Sequence, residues 1–141
     1  MPFTAAVSRM PSQETPPGGQ IDELAEPALR TFFRIAEAWS LNDPEQMRVL
    51  GISSLALLRA WRGEGLSSFD EEALERISLV IGIFKAINTL LPDAARANAW
   101  MRSPNKAPLL QGETAVAFIV DGDLARLQAL RAYLDAEVGH D

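Results

Sequence analysis

Apolar residues recur at helical spacing along most of the chain. In PALRTFFRIAEAWSL (27–41) they fall at Leu29, Phe32, Phe33, Ala36 and Ala38 or Trp39. That is the pattern of a helix with one buried face. Pro27 suits the first turn of such a helix, where no backbone donor is needed. NDPEQMRVL (42–50) opens on Asn42 and Asp43 as caps, continues through Pro44, and carries Met47 and Leu50. Gly51 punctuates. Ile52 is expected in the core, and Ser53 is expected to cap SLALLRAWRGE, which Gly63 and Gly65 end.

The segment SSFDEEALERISLVIGIFKAINTLLP (67–92) is different in kind. Its cap is Ser68 or Asp70, and acids fill the first turn, where the helix dipole favours them. Its apolar residues make two stripes, Leu74, Ile77, Ile81, Phe84 and Leu91 on one and Val80, Ile83, Ile87 and Leu90 on the other. A helix at a surface needs an apolar stripe only about 100° wide. Two stripes predict a central helix covered by the N-terminal helices on one side, and by the C-terminal half or a second copy on the other.

PDAARANAWMRS (92–103) predicts a short helix with Pro92 at its start and Ala95, Ala99 and Trp100 toward the core. GETAVAFIV (112–120) fits a buried strand or a buried helix by periodicity, but a lone strand has nothing to pair with, so helix is expected. The last segment, 121–138, is amphipathic, with Leu124, Leu127, Leu130, Leu134 and Val138 as its stripe. The fold class is therefore all-α. Helix, glycine turn, helix over 42–63 is the layout of a helix-turn-helix and equally of a plain αα-hairpin.

Composition changes this picture in three places. Residues 1–20 hold four prolines and adjacent glycines, which predicts a flexible arm over 1–26, followed by a region 27–67 and a region 68–141. The absence of cysteine excludes a disulfide framework, a thiol nucleophile and a cysteine zinc site, and no apolar run reaches membrane-spanning length. The net charge of −6 is unevenly placed. Residues 1–26 carry one Arg and four acids (−3), and 27–65 carry five Arg and four acids (+1). Residues 66–111 carry five of each sign (0), and 112–141 carry two Arg and six acids (−4). The C-terminal piece is a poor nucleic-acid surface and a good one for a basic partner.

Enzyme chemistry finds little to stand on. The only histidine is His140, and no phosphate-binding glycine motif occurs. Asp121 and Asp123 around Gly122 read as a turn and a helix cap rather than a metal loop. Glu71, Glu72 and Glu75 read as a solvated first turn. Trp39, Trp61 and Trp100 are expected to anchor the core with their indole N–H groups bonded to nearby carbonyls. No metal or cofactor is expected. Ser53, Ser54, Arg59 and Arg62 are the residues through which 53–62 would touch DNA, and weakly. Exposed helix-end arginines are the plainer reading of the last two.

The stretch AWMRSPNKAPLLQGETAVAFI resembles the signature of the Xre/MbcA/ParS-type antitoxin toxin-binding domain. The matching residues are Trp100, Met101, Pro104, Asn105, Leu109, Leu110, Gly112 and Thr114, with Ala115 where the family has proline. RVLGISSLALLRAWRGEG and RISLVIGIFKAINTLLPD resemble the family's Xre-like helix-turn-helix and central helix. The resemblance spans about residues 28–138. It implies an Xre-like helix-turn-helix bundle (27–67) joined by a long central helix to a small helical toxin-binding domain (within 68–141).

It also implies a cytoplasmic type II antitoxin, not an enzyme, whose partner is a RES-domain toxin acting on NAD or transferring ADP-ribose from it. Such an antitoxin blocks the toxin's cleft with its C-terminal region, dimerises, forms a hetero-oligomeric complex and represses its operon at operator DNA. The toxin-binding residues are then Pro104, Asn105, Leu109 and Leu110 in the loop. On the last helix they are Arg131, Tyr133, Asp135 and Glu137, which lie off the leucine stripe and are expected to face outward. Ile77, Ile81, Phe84 and Trp100 are expected in the core or at a dimer seam. The other reading is a stand-alone helix-turn-helix transcriptional regulator.

Overall fold

The computed structural model describes residues 17–63 and 69–139, with the side chains of the first helix described from residue 24 onward. Among the described residues the chain is all-α. Its helices are α1 (Pro17–Ala38), α2 (Asp43–Leu50), α3 (Leu55–Gly63), α4 (Glu71–Leu90), α5 (Ala94–Met101), α6 (Ala115–Ile119) and α7 (Leu124–Val138). GETAVAFIV is helical at α6, capped by the Thr114 hydroxyl accepting from the Ala117 N–H.

Local chemistry sets the ends. Asn42 and Glu45 form a reciprocal capping box on α2, each side chain accepting from the other's backbone N–H at 2.9 Å. Gly51 closes α2 in the left-handed region at φ 76°. Asp70, Asp93 and Asp123 cap α4, α5 and α7. Two expectations shift. Ser54, not Ser53, caps α3, its hydroxyl accepting from Leu57 N–H at 3.1 Å. Pro27 lies inside α1 rather than at its start. The helix continues through it because the ring faces solvent while Ala25 and Leu29 on either side are buried.

The core is built around α4, which packs most extensively on α7 and next on α1. Ile77, Val80, Ile83 and Ile87 of α4 are buried together with Phe32, Ile35 and Trp39 of α1 and with Leu127, Leu130 and Leu134 of α7. Each such side chain contributes on the order of 1.5–3 kcal/mol by leaving water. The second flank of the central helix is thus covered by the chain's own C-terminal half. Ile81 and Phe84 are only half-buried, with Phe84 tilted against Trp39 at 6.3 Å between ring centres.

In α5 the expected phase is off by a step. Ala97 and Met101 are the buried pair, while Ala95 and Ala99 are exposed and Trp100 is half-buried. Methionine fills the core position that alanine was expected to take. Trp61 packs edge-on against Phe69. Trp39 is 1% exposed, yet its indole N–H meets no acceptor among the described residues, contrary to expectation.

Candidate functional site

The segment between α5 and α6 is a built loop. Asn105 ties it across, donating its backbone N–H to Glu113 O at 3.1 Å and accepting from Gly112 N–H at 2.7 Å. The Asn105 side chain accepts from Ala107 N–H at 2.8 Å. Gln111 and Gly112 both take positive φ, 52° and 91°, to turn the chain back. This closure seats Leu110 in the core at 1% exposed, beside half-buried Leu109, with Pro104 left outside. Leu110 therefore supports the site from beneath and offers no surface to a partner. Seating Leu110 in the core, with Leu109 packed against it, is why an otherwise polar connection carries apolar residues through its middle.

Arg102 anchors the start of the loop. Its guanidinium donates to the Trp39 and Ser40 carbonyls at 2.9 and 2.7 Å and to the Glu45 carboxylate at 2.9 Å. The carbonyls just beyond the end of α1 are satisfied in this way by a cation, at the helix end where the dipole favours one.

Against this frame lies a groove of about 240 Å³. The end of α4 supplies Ile87, Leu90 and Leu91, α5 supplies Trp100, the loop supplies Asn105, and α7 supplies Tyr133, Leu134 and Glu137. The four residues singled out on α7 divide between two flanks. Tyr133 and Glu137, one turn apart, line the groove. Arg131 and Asp135, also one turn apart, pair with each other at 3.3 Å on another flank, where the Arg131 side chain lies against Gly82 of α4. Arg131 and Tyr133 are half-buried rather than facing fully outward, whereas Asp135 and Glu137 are exposed. Trp100 acts as a groove wall, and Ile77 is core at 0% exposed.

A second surface lies on α1 and α3. Arg30, Arg34 and Arg62 surround Phe33 with Glu37 in a shallow depression, the Arg62 guanidinium 5.5 Å from the Phe33 ring centre. Arg62 also donates to Asp43 and to Gln46, both at 2.9 Å. Arg59, Ser53 and Ser54 are exposed near it in sequence. Arg30 and Arg34 carry no part in the sequence-based site, although their spacing of four on a helix was the available signal. Among the described residues no group of three or more His, Asp or Glu is placed to hold a metal, and no helix is long and apolar enough to cross a membrane.

Among its described residues the chain is all-helical, with a partly apolar groove between α4, α5, the loop and α7. The comparison with known families gives this architecture its class. Residues 87–139 match the antitoxin Xre/MbcA/ParS C-terminal toxin-binding domain. The chain is also similar to the uncharacterized protein y4oB of Sinorhizobium fredii (strain NBRC 101917 / NGR234), 32% identical over 111 residues that cover 79% of this chain and 84% of that one. No solved structure matches. The chain belongs to the Xre/MbcA/ParS antitoxin family, and the groove, from Ile87 to Glu137, falls wholly inside its toxin-binding segment.

Proposed function

We propose that the chain is the antitoxin of a type II toxin-antitoxin system that binds and blocks a RES-type toxin, an enzyme degrading NAD or transferring ADP-ribose from it. It acts by binding, without catalysis of its own, in the cytoplasm where such a toxin works. The observation that carries this reading is the coincidence of the toxin-binding segment 87–139 with the groove and its overlap with the acidic segment 112–141. A cleft that holds the phosphates of NAD presents cations, and the carboxylates of 112–141, at −4, complement them.

The chain divides by task. Residues 27–67 hold the helix-turn-helix region that represses the operon, and 68–141 the central helix and toxin-binding part. Residues 17–26, expected in a flexible arm, instead open α1, with Ala25 buried in the core. The half-exposed Ile81 and Phe84 of α4 are offered as a dimer seam. Pro104, Asn105 and Leu109 are offered as the loop's contribution to toxin contact.

The test is co-expression with the product of the adjacent reading frame, followed by co-purification, an NAD-consumption assay and growth rescue. The expected result is a stable complex in which NAD consumption stops. A neighbour that neither consumes NAD nor transfers ADP-ribose removes the RES assignment. Operator binding without any protein partner would favour the stand-alone transcriptional regulator.

A further inference from the structure

We infer that the groove receives a side chain from the toxin: an apolar residue seated on Leu90, Trp100 and Tyr133, with a neighbouring lysine or arginine reaching the Glu137 carboxylate. This rests on the antitoxin reading and adds a direction to it. At this contact the antitoxin is the receptor, and the toxin supplies the inserted group.

Three observations argue for that occupant. The groove is continuous with the toxin-binding segment, since all its lining lies within 87–139. Its wall is unfinished as a packed surface. Leu90, Leu91, Trp100 and Tyr133 are half-buried, while Ile87 and Leu134 at its floor are 1% exposed each. An apolar guest would bury what the fold leaves wet, and tryptophan and tyrosine are the side chains that most often anchor such contacts.

The third observation is charge. Glu137 is the only charged residue of the lining, and its carboxylate has no side-chain partner among the described residues. The Asn105 side-chain oxygen is already used by Ala107 N–H. The groove thus offers a negative rim and no cation, which disfavours a phosphate-bearing guest and favours a cationic neighbour to the apolar one. A second copy of the C-terminal half is disfavoured for the same reason, because residues 112–141 would bring −4 against −4.

The experiment uses the full chain and the purified product of the adjacent reading frame, titrated against each other by calorimetry, with circular dichroism on every variant. Tyr133→Ala and Glu137→Lys are expected to weaken binding by about tenfold each. Glu75→Gln, at an exposed carboxylate of α4 outside residues 87–139, is expected to stay within about twofold of the parent. A lysine- or arginine-to-glutamate change in the toxin that restores affinity for Glu137→Lys would identify the inserted segment. Because Glu137 is exposed and unpaired, its variant folds even if Tyr133→Ala does not. If the parent proteins bind and both groove variants bind as tightly, the inference is overturned while the antitoxin reading stands. If the parent proteins do not associate at all, the antitoxin reading fails for that partner and the inference falls with it.

Discussion

The Arg131 side chain of α7 lies across Gly82 of α4, so closely that a methyl group at residue 82 would overlap its guanidinium and its Cδ. Glycine inside a helix costs about 1 kcal/mol relative to alanine. What the missing side chain permits is the close passage of Arg131 over α4, the helix that α7 packs on most. The Arg131–Asp135 pair that results is 41% and 54% exposed, and an exposed pair of this spacing is worth only about 0.3–0.5 kcal/mol. Gly82→Ala is therefore expected to leave stability unchanged or to raise it by up to about 0.5 kcal/mol, with Arg131 swung outward. Thermal denaturation followed by circular dichroism measures this. A loss of more than about 1 kcal/mol would mean that the α4–α7 spacing itself depends on the glycine.

Gly51 meets an arginine too, with the opposite outcome expected. A methyl there would sit 2.7 Å from Nε and 2.8 Å from the guanidinium carbon of Arg76. Arg76 cannot swing away as Arg131 can. It is 6% exposed and donates to Glu72 at 3.0 Å and to the Val49 carbonyl at 3.3 Å. The backbone at Gly51 is also left-handed, which costs a non-glycine residue on the order of 1 kcal/mol. Gly51→Ala is expected to destabilise the chain by roughly 2–3 kcal/mol, from backbone strain together with displacement of a buried cation. Urea denaturation of the two alanine variants side by side checks the contrast, and equal midpoints would refute it.

Arg102 offers a third measurement. One guanidinium holds the end of α1 to the start of the loop through two carbonyls and joins Glu45 of the α2 capping box. The site is 40% exposed, so water replaces part of what is lost. Arg102→Ala is expected to cost about 1–2 kcal/mol, and Arg102→Lys to recover less than half of it, because an ammonium cannot span three acceptors as the planar fork does. Full recovery by lysine in a thermal melt would show that charge alone matters.

How much of this was legible beforehand depended on how local the cause was. The α2 cap was readable because Asn42, Pro44 and Glu45 lie within one turn. The central position of α4 was readable because two stripes on one helix require two neighbours. Pro27 misled because its first-turn preference is a local rule, which the burial of Ala25 and Leu29 on either side outweighs. The phase of α5 was missed because alanine and methionine both tolerate burial, and only packing selects Ala97 and Met101. The division of Arg131 and Asp135 from Tyr133 and Glu137 was legible, since residues two apart on a helix stand about 200° around its axis. The seat of Arg131 over Gly82, roughly fifty residues away, was not. The groove joins α4, α5, the loop and α7, and no single segment carries its signature.

The last expectation concerns DNA. Of the five arginines in 27–65, Arg62 is paired with Asp43 at 2.9 Å and Arg30 lies 4.0 Å from Glu26. Arg34, Arg48 and Arg59 have no acidic partner among the described residues. At most about three phosphates per chain can then be neutralised without breaking an existing pair. Each releases condensed counterions, so the slope of log K against log salt should be no steeper than roughly −3 for a single chain on duplex. Glu37, within the same depression as Arg30, Arg34 and Arg62, lowers it further. The isolated chain is accordingly expected to bind duplex weakly at physiological salt, and a dimer or a toxin complex to bind more tightly by presenting two such surfaces at once. Fluorescence anisotropy across a salt series measures the slope directly. Nanomolar binding by the free chain with a slope steeper than about −5 would require basic residues beyond these three, and would move the N-terminal half from an accessory role to the principal one.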